Sequence, residues 1–208
     1  DQHLIRLGSS VPPSHPLIHK YIDFFELINY NLNFELFVTR DEEILRLLTD
    51  NEIDLAFVHN PIIDKRLECS PLISEEIKLM VSSSHPLAKY NHLEDLHLIE
   101  EEKLVLFSSF IQNFDMSDLG KIKFRKKLRT NSLEVIKFLI HHKRCISFLP
   151  FQILKSEIDK GDVMSLSLDK QISIGKINYY FVYRKNEAKK DFIKHFFNLN
   201  TPVFMDVI

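Results

Sequence analysis

Two pairs of small polar residues stand where this chain could hold a ligand: Ser9-Ser10, closing an apolar stretch, and Asn131-Ser132, just ahead of another. Each pair lies before or at the start of a helical pattern. The free backbone N–H groups of a helix start, together with its dipole, favour an anionic or strongly polar group. Pro12, Pro13 and Pro16 hold the first loop, Ser9 to Pro12, stiffly open. Asn131 and Ser132 also read as a plain helix cap, with Glu134 completing an Asn-x-x-Glu box, and the two readings are compatible. His59 follows the apolar run Ile53 to Val58 and can face the same rim.

Other chemistry-bearing residues point elsewhere. His141-His142 are adjacent on a helix and diverge by roughly 100°, so they do not share a metal ion easily; a solvated helix end, where cationic side chains suit the dipole, is the expectation. Lys121, Lys123, Arg125, Lys126, Lys127 and Arg129 form the strongest charge cluster. A direct nucleic-acid patch is one reading, weakened by the scarcity of aromatic residues beyond Phe124; a solvated edge is favoured over it, and a third reading is a source of positive potential for an anionic ligand. Cys69 and Cys145 have no metal-type spacing and are expected to be reduced thiols. The chain has only four glycines and carries no phosphate loop, Gly-x-Ser-x-Gly elbow, His-Glu-x-x-His or dinucleotide fingerprint. No catalytic residue, metal ligand or cofactor is expected.

The elements that position these residues alternate between strand and helix patterns, as in a mostly parallel α/β fold. Leu4 to Ser9 reads as a strand and Leu17 to Ile28 as a helix whose apolar positions recur at helical spacing. Phe34 to Val38 is a second strand. Thr39-Arg40-Asp41-Glu42 has the capping-box form and opens a helix carrying Ile44, Leu47 and Leu48. Ile53 to Val58 is a strand buried on both faces. Leu67 to Leu72 and Ile77 to Ser82 are two strands or one long bent one, and His92 to Leu96 is a short helical turn.

A second set of elements follows. Strands are read at Leu104 to Phe107, Lys127 to Thr130, Cys145 to Leu149 and Val163 to Leu168. Helices are read at Phe114 to Phe124, Ser132 to His142 and Phe151 to Ile158. The last strand, Tyr179 to Tyr183, precedes a helix in which Phe192 pairs with Phe196 and Ile193 with Phe197. Ligands of open parallel sheets sit outside the carboxyl ends of strands. This adds Phe107, Ser108, Pro150 and Phe151 to the candidate rim.

At 208 residues and 45% hydrophobic, the chain can bury a sizeable core. A net charge of −2 offers no global attraction for nucleic acid. No apolar run has bilayer-spanning length, and the first residues lack a secretory pattern, so a cytoplasmic location is expected.

Read in order, the chain resembles the C-terminal regulatory domain of the LysR-type transcriptional regulators. Leu4-Ile5-Arg6-Leu7-Gly8-Ser9-Ser10 resembles the opening strand, and Leu45 to Val58 the segment ending (Ile/Leu)-Asp-(Leu/Ala)-Ala. Ser84-His85-Pro86-Leu87-Ala88 matches the characteristic His-Pro-Leu. Leu93-Glu94-Asp95-Leu96, Asn131-Ser132-Leu133 and Ile146-Ser147-Phe148-Leu149-Pro150 follow in their places. Two departures stand out: His141-His142-Lys143-Arg144-Cys145 where the family commonly has a glycine pair, and Phe151-Gln152 where it has a small residue after Leu-Pro.

The resemblance implies a two-lobed, type 2 periplasmic-binding-protein-like fold with mixed, mostly parallel sheets. One lobe would be residues 1–83 with 176–208 and the other 84–175, joined by hinge crossovers near Ser83 and Gly175. It implies a small-molecule effector bound between the lobes by Ser9, Ser10, Val11, Pro12, His59, Phe107, Ser108, Asn131, Ser132, Pro150 and Phe151. It further implies a homodimer or homotetramer, and DNA binding only through an N-terminal winged helix-turn-helix outside this chain. The alternative carried by the fold is a solute-binding protein of a transporter.

Overall fold

The computed structural model describes residues 3–28, 32–169, 172 and 174–186. The helix expected around Phe192 to Phe197 lies outside the described residues. The chain divides into two compact units, residues 1–74 with 178–208 and residues 75–177.

In the first unit, β1 (His3–Ser9) lies between β2 (Leu32–Val38) and β3 (Leu55–Val58), all parallel, and β3 is closed on its other side by antiparallel β10 (Lys176–Arg184). Helices α1 (Pro16–Ile28) and α2 (Asp41–Thr49) are the crossovers. Between β1 and β10, and with side chains of α1 and α2 packed against it, β3 has no solvent face, and all four of its residues are buried. Ile44, Leu47 and Leu48 of α2 pack with Ile53, Ala56, Val58 and Val182, and on another part of the sheet Tyr21 of α1 stacks on Phe57 with ring centroids 3.7 Å apart. Gly8 leaves room here for two core side chains: a Cβ would stand 2.5 Å from Ile53 Cδ1 and 2.7 Å from Ile44 Cδ1, so both would have to shift. That is the physical content of the glycine in Ile5-Arg6-Leu7-Gly8.

Asp54, next to β3, is buried yet charged. Its Oδ2 accepts the Arg6 amide at 2.8 Å, while Oδ1 faces the guanidinium nitrogens of Arg6 at 3.4 Å and Arg184 at 3.7 Å. Arg184 also donates to the carbonyls of Leu48 and Ile53, at 2.8 and 2.6 Å. One arginine thus ties β10 to the end of α2 and to the turn before β3.

The stretch Leu67 to Ser82 is a single 16-residue strand, β4, and the unit boundary falls inside it. In the second unit its final part pairs antiparallel with β8 (Cys145–Pro150) and with β9 (Val163–Leu168), so Leu79 to Ser82 are buried. Beyond β8 the sheet continues with parallel β6 (Lys103–Phe107) and β7 (Lys126–Thr130), and a two-residue β5 (His92–Leu93) runs beside β9. Ile136 and Ile140 of α4 (Leu133–Lys143) are buried, as are Val105 and Phe148 of the sheet.

Several local expectations change. No helix opens at His92; β5 is followed by a 3-10 turn, Leu96–Ile99, which Asp95 caps through the His97 amide at 2.8 Å. The helix read over Phe114 to Phe124 shrinks to α3 (Met116–Leu119), with a 3-10 turn at Ser108–Asn113 before it. Phe151–Leu154 is also 3-10, and α5 (Lys155–Asp159) follows. These stretches lack a sustained apolar stripe, so tertiary packing sets their path. Thr39 does not cap α2: its amide is held by the Ser9 carbonyl at 2.9 Å, the helix starts later, and the N-cap residue Arg40 makes no side-chain cap bond.

Two Ser-His-Pro-Leu stretches, Ser14–Leu17 and Ser84–Leu87, are built alike. In each the histidine is buried, its Nδ1 accepts the leucine amide (3.1 Å from Leu17, 3.2 Å from Leu87), proline occupies the first helical position, and the leucine is buried. Proline tolerates that position because its missing N–H has no partner there in any helix.

Candidate functional site

In the first unit the carboxyl ends of β1, β2 and β3 lie at one edge, Ser9 being in register with Val38 and Phe57. The loop that leaves it is held by its own side chains. Ser9 is fully buried, and its hydroxyl donates to the Val11 carbonyl at 3.0 Å. Ser10 Oγ lies 2.9 Å from His59 Nδ1 and accepts the His59 amide at 3.3 Å. Pro12 and Val11 are buried, and the Pro12 carbonyl accepts the His15 amide at 2.9 Å.

Behind His59 stand two residues the sequence reading left out of the rim. Asp41 Oδ2 accepts from Asn60 Nδ2 at 2.7 Å and lies 3.7 Å from His59 Nε2. A carboxylate at that distance favours a proton on Nε2. Nδ1 is then an acceptor for the Ser10 hydroxyl, leaving Ser10 Oγ free to accept the His59 amide. The chain of polar groups is therefore Ser10, His59, Asp41. Asp41 Oδ1 is buried with no hydrogen-bond partner among the described residues. Such an acceptor is costly unless a donor reaches it. In the sequence Asp41 stands in a capping box; its place three residues beyond a strand end is the available signal.

In the second unit β6, β7 and β8 are parallel, so Phe107, Thr130 and Pro150 end at a common edge. Phe107 is buried edge-on against Phe110, with centroids 5.0 Å apart, and Ser108 starts the 3-10 turn. The cap of α4 is Ser132, not Asn131: Ser132 Oγ accepts the Val135 amide at 3.3 Å, and the Ser132 amide donates to Thr130 Oγ1 at 3.1 Å. Asn131 is left exposed, and Glu134 pairs with Lys137 at 3.2 Å instead of closing a box. One residue of register decides this, because Thr130 turns the chain before the helix begins. The amides of Leu133 and Glu134 precede the capped one and have no helical carbonyl to bond. Pro150 is buried, while Phe151 is half-buried with the ammonium groups of Lys78 and Lys155 each 5.8 Å from its ring centre.

The remaining expectations resolve simply. His142 leans on Phe138 at 4.9 Å in the last turn of α4. Cys145 is buried and Cys69 half-buried, and burial raises both thiols above their usual range. No group of acidic, histidine or cysteine side chains able to hold a metal occurs among the described residues. Nor is any helix there long and apolar enough to cross a membrane.

The arrangement has known counterparts. The regulatory domain of CcmR from Synechocystis PCC6803, solved in complex with 2-PG, superposes with a TM-score of 0.75 at 21% identity, covering 98% of each chain. The BenM effector binding domain with its effector benzoate gives 0.73 at 19% identity over 90% of this chain and 86% of that one. A probable RuBisCO transcriptional regulator of Thalassiosira pseudonana is 21% identical over 176 residues, 79% of this chain; the chain spans 57% of that relative's length. The fold is therefore the type 2 periplasmic-binding-protein-like fold of regulator effector domains. The LysR substrate binding domain model matches residues 1–201, and the chain belongs to that family.

Proposed function

We propose that this chain is the sensing module of a transcriptional regulator and binds a small metabolite between its two units. The loop Ser9 to Pro12 and His59 supply one side of the site. Phe107, Ser108, Asn131, Ser132, Pro150 and Phe151 supply the other. The observation that carries the reading is that, within each unit, these residues collect at the carboxyl edge of a parallel sheet, beside the buried Asp41 Oδ1 that lacks a hydrogen-bond partner among the described residues in the first and at the start of α4 in the second. Edges of this kind are where α/β sheets take ligands. The two relatives solved with benzoate and with 2-PG support an effector of that size and an anionic character.

The effector moves the units only to the extent that it contacts their two arrangements unequally. The motion is passed on through a homodimer or homotetramer, to which α1 contributes, and reaches DNA through a winged helix-turn-helix head. The module works in the cytoplasm and catalyses no reaction. The rival reading, a transporter's solute-binding protein, lacks the support that the family assignment gives to regulation.

A thermal-shift series with benzoate, 2-PG, other carboxylates, amino acids and inorganic anions tests the sensing role. A concentration-dependent rise in Tm for one class supports it, because a ligand stabilises by binding the folded state. Turnover of any of these compounds by the purified chain would refute the non-catalytic assignment.

A further inference from the structure

The opposite edge of the second sheet holds a separate feature. Lys103 opens β6, Arg125 immediately precedes β7, and Arg144 immediately precedes β8. The parallel register sets Lys103 level with Lys126 on one side and Cys145 on the other. Three cations from three chain segments thereby meet at the amino ends of neighbouring strands. They line a surface cavity of about 450 Å³, together with His85, Glu102 and His142. This edge is a full strand length, on the order of 13 Å, from Phe107 and Thr130.

Among the described residues the side chains of Lys103, Arg125 and Arg144 have no ion-pair or hydrogen-bond partner. Elsewhere in the unit Lys121, Lys137 and Lys155 are each engaged by a carboxylate. The one carboxylate in the cavity, Glu102, faces His85 Nε2 at 3.4 Å. His85 Nδ1 accepts the Leu87 amide, so the neutral ring presents its Nε2–H toward Glu102. The backbone is strained here as well: Arg144 has φ 51° and Glu101, beside Glu102, has φ 64°. Arg144 ends α4 in the left-handed conformation that glycine adopts without cost. An arginine at that position gives up backbone ease and adds an unneutralised charge.

We infer that this edge is a second ligand site, for a compact small molecule bearing at least two negative charges, a phosphate ester or a polycarboxylate. The guanidinium groups of Arg125 and Arg144 each carry the planar fork of N–H donors that such oxyanions match, and Lys103 adds a point charge. The cavity lies in the size range of small-molecule sites. The site is independent of the inter-unit reading.

Isothermal titration of the chain with inorganic pyrophosphate, and separately with citrate, tests the inference at low ionic strength, where screening is weak. One binding site is expected for at least one probe. The paired variant Arg125→Gln, Arg144→Asn should weaken binding at least tenfold; asparagine keeps the left-handed backbone accessible. Ser10→Ala and Ser132→Ala should leave the affinity within twofold, which separates this site from the rim proposed above. A control pair with the same loss of charge, Lys65→Gln and Lys160→Gln, should change it less than twofold. Arg144→Gly should raise Tm while lowering affinity, an opposition that a purely structural role would not produce. No binding by either probe overturns the inference, and so does equal weakening by the control pair.

Discussion

Ser10 Oγ stands 2.9 Å from His59 Nδ1 while accepting the amide hydrogen of the same histidine at 3.3 Å. A residue at the end of β1 and one just past β3 are thereby locked by two bonds, with Asp41 behind the far ring nitrogen at 3.7 Å. The arrangement fixes a tautomer. In 15N spectra of the neutral ring His59 should carry its proton on Nε2, and a proton on Nδ1 would contradict the assignment. Ser10→Ala should remove both of these bonds to His59 and cost about 1–3 kcal/mol in urea unfolding.

The paired histidine caps make a second prediction. Replacing His15 or His85 by leucine removes the acceptor for the amide two residues on and should cost roughly 1 kcal/mol, the usual value of a lost N-cap. Asparagine at either position can accept the same amide and should recover most of that loss. Equal destabilisation by leucine and asparagine would show that ring packing, such as that of His15 on Tyr179 at 4.8 Å, matters more than the cap.

Asp54→Ala should be among the most damaging single changes in the first unit. It strips the Arg6 amide of its acceptor and removes the carboxylate that faces Arg6 and Arg184, and breaking a buried pair typically costs about 3–5 kcal/mol. A midpoint shift in chemical denaturation worth under about 1 kcal/mol would show that water replaces the carboxylate.

The pH dependence has a local reporter. His97 Nδ1 lies 2.7 Å from Glu100 Oε1, and that hydrogen bond, helped by the charges of Asp95 and Glu100, raises the histidine above its ordinary value. A raised folded value means that the contribution to stability is complete below the unfolded histidine pKa, near 6.5. It is lost as pH rises through the folded one. Proton NMR titration should find His97 titrating above the unperturbed value, and Glu100→Gln should lower it. An unchanged midpoint in the variant would reject the pairing.

The regular parts of this fold were open to a sequence reading because their residues repeat. The continuous apolar run into β3 and the spacing of Ile44, Leu47 and Leu48 each admit one solution once a parallel sheet is assumed. Where the pattern is aperiodic, as over Phe114 to Phe124, only tertiary packing chooses between helix and turn. The rim was half legible. Strand ends announce Ser9, Ser10 and His59, but that Asp41 completes their network depends on how α2 leaves β2, since its carboxylate would otherwise have been spent in a first turn. Asn131 and Ser132 were equally good caps on paper, and Thr130 decided between them in space. The cation cavity was hidden because its three cations, Lys103, Arg125 and Arg144, are 19 or more positions apart along the chain and meet only through strand register.

The central claim is that both units contribute to one effector site, and the most direct test uses one hydroxyl from each. The thermal-shift series should be run on the wild-type chain beside Ser10→Ala and Ser132→Ala. A compound that raises the wild-type Tm should lose at least half of its shift in each variant. A shift retained in full by either variant would confine the site to a single unit and contradict the claim.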